Sequence, residues 1–202
     1  YIGGKGFNVI DEDEVQKQME DCRKYIDIAH ALECPSLRVI PGSKERNEAV
    51  RSARLLERFA DLDPDINLLV EIHFGGLIET AVDAVQYLGH IDRENVGVIY
   101  DPGNMVVNGA EFGAQDVRKL GNRLMHAHIK DVGEVVRDTP GSFKYGDRSF
   151  AWVPMGRGNV KYAEIFNAMA EMKYGGYLSI ECEGTAKDMT LEEILARESE
   201  EA

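Results

Sequence analysis

The chain has 202 residues, 44% of them hydrophobic and 29% charged, which is enough apolar material for one soluble domain with a full core. Its formal net charge is −13, and the basic residues at Lys44, Arg46, Arg51 and Arg54 alternate with acids, so the composition excludes a nucleic-acid backbone as the expected partner. Three cysteines without metal-type spacing, apolar runs too short to span a bilayer and no visible leader give the expectation of a reducing, cytoplasmic setting without membrane contact.

Residues 1–10 are Gly-rich and irregular. Over 11–32, Val15, Met19, Cys22, Ile26 and Ala29 recur at steps of three and four, and Asp11 to Glu14 load the N-terminal end with the sign a helix dipole prefers. Pro35 ends that pattern. Residues 36–40 read as a strand closed by Pro41-Gly42, and a second helix is predicted over 44–60. A nearly all-apolar strand at 66–72 comes next, then a helix over 77–88, a strand at 96–100 and a short helix over 112–120. Residues 124–129 form the next strand, Leu-Met-His-Ala-His-Ile. The stretch 132–158 exceeds an ordinary connection and reads as a long functional loop. A helix over 162–172, a strand at 177–180 and a helix over 191–200 complete the chain. Apolar strands alternating with helices predict a parallel sheet covered on both sides. With neither repeat nor linker, the prediction is one domain over 1–202.

Four strands end in a residue of metal-ligand type: Glu71, Asp101, one of the pair His126/His128, and Glu181. A βα unit takes about 30 residues, so these positions recur once per unit, the last after a unit enlarged by the long stretch. In a parallel sheet or barrel such strand ends converge on one rim. Two Glu, one Asp and one His make a mixed oxygen/nitrogen site that suits one divalent ion, Mn, Mg, Co or Zn. Singly, each carboxylate at a strand end also reads as a helix N-cap, and Asp131 as a cap for the segment after it.

The motifs Val70-Glu71-Ile72-His73, Tyr100-Asp101-Pro102-Gly103-Asn104, His126-Ala127-His128-Ile129-Lys130-Asp131, Gly156-Arg157-Gly158-Asn159-Val160 and Gly176-Tyr177-Leu178-Ser179-Ile180-Glu181 occur in this order over most of 10–185. Together they resemble the xylose isomerase-like TIM-barrel superfamily of sugar isomerases and epimerases. The resemblance implies a (β/α)8 barrel. It implies a metal held by Glu71, Asp101, His128 and Glu181, with His126 a packing or outer residue. It implies isomerisation or epimerisation of a sugar or sugar phosphate through a metal-held enediolate, with Glu71 and Glu181 as the acid/base pair. His73, Asn104, Lys130 and Arg157 become candidate substrate contacts. Asn104 departs from the histidine that some of the family's epimerases carry there. A dehydratase of the polyol or dehydroshikimate type, from the same superfamily, is the second enzymatic reading, and a non-catalytic sugar-binding remnant the third. An endonuclease-IV-like nuclease is disfavoured by only five histidines and the charge of −13. Five strands are legible where a barrel needs eight. By family order strand 36–40 is the fourth, so the first three are expected to be missing from this chain. Two raw sheet edges predict poor stability or a homo-oligomer.

Overall fold

The structure is a computed structural model that describes residues 11–42, 48–137, 139, 141–181 and 190, with isolated positions 192, 193, 196 and 199 beyond. The expected irregular segment 1–10 lies outside the described residues, as does most of the expected helix 191–200.

Helix α1 (Glu12–Ala31) opens on Asp11, whose carboxylate accepts the Glu14 amide, and buries the five-residue stripe read from its periodicity. Strand β1 (Ser36–Val39), helix α2 (Ala49–Ala60) and strand β2 (Asn67–Glu71) come next. Helix α3 (Ala81–Leu88) begins four residues later than predicted. Thr80 caps it by accepting the Asp83 amide, and Leu77 and Ile78, which suggested an earlier start, are buried in the connection before it. Strand β3 (Val96–Tyr100) leads into α4 (Pro102–Asn108), a helix absent from the expected elements. Pro102 occupies its first position, Asp101 caps it and Gly109, at φ 74°, closes it, so the Pro-Gly pair marks a helix start here. Helix α5 (Ala114–Leu120) precedes β4 (Leu124–Ile129).

The predicted long loop is a second sheet. Strands β5 (Asp131–Glu134), β6 (Phe143–Tyr145) and β7 (Arg148–Val153) pair antiparallel in the order β5-β7-β6. Helix α6 (Tyr162–Glu171) and strand β8 (Tyr177–Ile180) return to the main sheet, whose order is β1-β2-β3-β4-β8, all parallel.

The main sheet has two unlike faces. Leu68, Val70, Val96, Val98, Tyr100, Ala127 and Ile129 join the helices in one apolar core. The opposite face carries Arg38, Leu69, Glu71, Ile99, His126, His128 and Ser179, as the pairings Arg38↔Leu69, Glu71↔Ile99, Ile99↔His126 and His128↔Ser179 require. A register shift between Val98 and Ile99, opposite Met125, decides which way β4 points. Leu124 packs in the core, yet His126 lies beside Ile99 on the polar face. Gly97 makes room for the bulge: a Cβ there would meet the Met125 sulfur at 2.5 Å.

Among the described residues β8 pairs only with β4, and Tyr177, Leu178 and Ile180 on it are 71%, 47% and 41% exposed. An apolar parallel edge of this kind is a template for another strand. The chain is therefore expected to self-associate with rising concentration in sedimentation velocity, and to sediment more slowly once Leu178 and Ile180 are changed to Lys. A concentration-independent monomer would contradict this.

Candidate metal centre

Each ligand candidate reaches the polar face by a local device. Glu71 ends β2, and Glu181 comes directly after β8 with its amide on the Ile129 carbonyl. Asp101 is both the N-cap and the site residue: Oδ1 accepts the Asn104 amide at 2.9 Å, while Oδ2 faces the cluster. Gly103 lets that helix start close to β4, since a Cβ there would lie 2.8 Å from the Lys130 carbonyl oxygen. His128 Nδ1 stands 3.0 Å from Glu71 Oε1, 3.5 Å from Asp101 Oδ2 and 3.2 Å from Glu181 Oε1. One donor atom from each of the four lies within 4.8 Å of the others, and Glu71, Asp101 and His128 are buried.

The donor set fits a divalent ion. Three carboxylates converge on one imidazole nitrogen, and Glu71 Oε2 and Asp101 Oδ2 complete no hydrogen bond of normal geometry although both are fully buried. Cations already cluster there. The Arg38 guanidinium meets Glu71 Oε2. The Lys130 ammonium lies 3.0 Å from Asp101 and 2.8 Å from Glu181. Burial pushes the Glu71 carboxyl up, but the His128 hydrogen bond and the Arg38 charge outweigh it and hold the group at about 2. Burial pushes His128 down, and hydrogen bonds from Asp101 and Glu71 with the Glu181 charge outweigh it, raising the imidazole to about 9. Burial lowers Lys130 too, yet Asp101 and Glu181 hold it above the ordinary lysine value.

The sign of the His128 shift sets a pH dependence. An ion needs the Nδ1 lone pair, and below about pH 9 that nitrogen carries a proton. Ion binding is therefore expected to release a proton at neutral pH. Affinity should rise about tenfold per pH unit and level off above about 9. Calorimetric titration with Mn²⁺ in buffers of different ionisation enthalpy measures this, and no proton release at neutral pH would contradict it.

The other candidates fall in three places. His73 lines a cavity of about 310 Å³ with Arg38, Glu71 and Phe74, and its Nδ1 is 2.7 Å from the Phe74 carbonyl. Asn104 is buried beneath Glu71: its Nδ2 donates to the Ile72 carbonyl at 3.1 Å and to Glu71 Oε1 at 3.5 Å. Arg157 is exposed, on the turn that Asp131 grips. Asp131 accepts the amides of Val132, Gly156, Gly158 and Val160, the capping role read for it. A Cβ on Gly158 would come within 2.2 Å of the Asp131 carboxylate, which explains the glycine. His126 lies one layer deeper, bonded to Ser179 at 2.9 Å. Sequence reasoning missed Arg38, although a lone charge in Ser36-Leu37-Arg38-Val39-Ile40 was a signal. It also missed Trp152, which the second sheet sets 5.1 Å from the Lys130 ammonium.

Among the described residues no helix is long and apolar enough to cross a membrane. An inosose dehydratase of Clostridium perfringens is 31% identical over 123 residues, which are 58% of this chain and 41% of the relative. The chain thus spans under half the length of that relative. A D-allulose 3-epimerase from a Methylomonas species superposes with TM-score 0.67 at 25% identity over 91% of this chain and 62% of its own. The IolI protein, solved with a bound zinc, superposes with TM-score 0.75 at 18% identity over 97% of this chain and 71% of its own. The sequence model of the xylose isomerase-like TIM barrel matches residues 1–200. The five parallel strands with their four convergent strand ends form part of such a barrel, and the chain belongs to the xylose isomerase-like TIM barrel family.

Proposed function

We propose that the chain carries the metal-dependent site of a dehydratase that removes water from a polyhydroxylated ketone. The observation that carries this is a buried ammonium, Lys130, inside the carboxylate cluster, 2.8 Å from Glu181 and 3.0 Å from Asp101. Elimination needs a base for the proton beside the carbonyl and an acid for the departing hydroxyl. Lys130 is a proton donor in place for the second task. His73 suits the first. Its Nδ1 donates to the Phe74 carbonyl, which leaves the Nε2 lone pair free at the cavity beside Glu71. Glu71, held at about 2, is a weak proton acceptor and better suited to holding charge. A divalent ion held by Glu71, Asp101, His128 and Glu181 would supply the polarisation of the carbonyl and the charge that stabilises the enolate. The C–H proton goes to His73, the C–O bond beyond it breaks, and the hydroxide leaves as water with the Lys130 proton. The name of the relative supports a cyclic polyhydroxy ketone, an inosose, as substrate.

A second reading is epimerisation, with Glu71 and Glu181 exchanging the proton across the substrate. The placement of their oxygens 3.0 Å and 3.2 Å from one His128 nitrogen favours it, as does the similarity to the D-allulose epimerase. Incubating the protein with Mn²⁺ and an inosose in D₂O separates the two. Water loss to an unsaturated, ultraviolet-absorbing ketone is the expected result. Deuterium entry without elimination would overturn the dehydratase in favour of the epimerase, and neither change would overturn both.

A further inference from the structure

The second sheet has an aromatic face, and that face belongs to the site. Across its strands Phe143 pairs with Phe150, Val132 with Trp152 and Tyr145 with Arg148, so these side chains share one side. On that side the rings form a row. Trp152 stacks on Phe143 at 5.0 Å, Phe143 lies 6.0 Å from Phe74, and Phe74 lies 4.6 Å from His73. The row runs from the cavity beside Glu71 to the Lys130 ammonium, 5.1 Å from the Trp152 ring and hydrogen-bonded to Glu181. It therefore passes along the metal-ligand cluster from one glutamate to the other. Phe74, Phe143 and Trp152 are each only partly buried, so ring surface remains open along it.

The row is also held firmly at both ends. Tyr145 donates to Glu79 at 2.6 Å and accepts the Gly75 amide at 3.2 Å, which pins β6 to the connection after β2. The four amides on Asp131 pin the other end. A rigid aromatic surface beside polar groups is the usual construction of a small-molecule subsite.

We propose that Trp152, backed by Phe143, is a binding platform for the C–H face of a neutral cyclic polyol whose oxygens are held at the metal-ligand cluster. The sheet β5–β7 then selects the substrate: one flat apolar face is required and a phosphate is disfavoured. The cationic groups nearest the cluster, Arg38 and Lys130, are committed to Glu71, Asp101 and Glu181. The chain as a whole carries −13, which repels an anionic sugar. This inference rests on the cluster holding a polyhydroxylated ligand, as in the proposed dehydratase.

Trp152 is the single tryptophan of the chain, so its emission reports the platform directly. The Mg²⁺-loaded protein is titrated with myo-inositol and with fructose 6-phosphate, following emission and heat together. The expected result is a saturable emission change with the inositol, with weaker binding of the phosphate. Trp152→Phe should keep affinity by calorimetry within about threefold, and Trp152→Ala should weaken it roughly tenfold, the scale of a lost ring contact. In turnover of an inosose the loss should fall on KM rather than kcat. Inositol heat without an emission change, equal affinity in Trp152→Ala, tighter binding of the phosphate, or a loss confined to kcat would each overturn the platform. Failure of the dehydratase reading looks different: the ring still binds and Trp152 still responds, but no water is lost.

Discussion

Glu71→Gln is expected to weaken divalent-ion binding by more than roughly 100-fold, beyond the loss typical of an outer contact to a ligand. Glu71 is 4% exposed, accepts from His128 at 3.0 Å and pairs with Arg38. The amide keeps its shape but removes one of three carboxylate charges from the cluster, and the Arg38 cation then stands uncompensated beside the incoming ion. The fold should survive. Arg38 keeps 35% of its side-chain surface in water, so the cost stays below the roughly 3–5 kcal/mol of breaking a fully buried pair. The imidazole, with one acceptor fewer, should titrate below 9. Calorimetry with Mn²⁺ and an ion-free thermal melt check both halves. Unchanged affinity with an unchanged melt would remove Glu71 from the centre.

Lys130→Met is expected to act in the opposite direction on the ion. The ammonium competes for Asp101 and Glu181, so removing it should leave ion affinity equal or tighter. Water elimination should fall by roughly 10²–10⁴-fold, the usual worth of a positioned acid. Methionine keeps most of the stem, which lies against Gly103, where a Cβ would approach Lys130 Cγ at 3.0 Å. The opposite signs matter, because a merely structural lysine would lose ion binding and turnover together. Full elimination activity in Lys130→Met would take the acid role away from this residue.

The parallel sheet was legible because its strands announce themselves. Ile66 to Val70 and Val96 to Tyr100 are largely apolar runs, and the polar residue after each marks the rim. The four strand ends do converge, with Asp101 filling both roles that its position suggests. Helix α4 was not legible, because Pro102 and Gly103 are breakers by type while their places at a helix start are set by Asp101. The second sheet was hidden for another reason. Phe143-Lys144-Tyr145 and Arg148 to Val153 alternate only briefly, and their apolar side is fixed by contact with Phe74 and Lys130, far away in sequence. The Arg38–Glu71 pair depends on the β1–β2 register, which no local pattern encodes.

A crystal of this protein grown with Mn²⁺ tests the central claim most directly, through the anomalous signal of the ion. The account expects one peak per chain, bonded to Glu71, Asp101, Glu181 and His128 Nδ1, with the Lys130 ammonium moved off at least one carboxylate. Mn²⁺ bound elsewhere at saturation, with the ammonium still on Asp101 and Glu181, would contradict it.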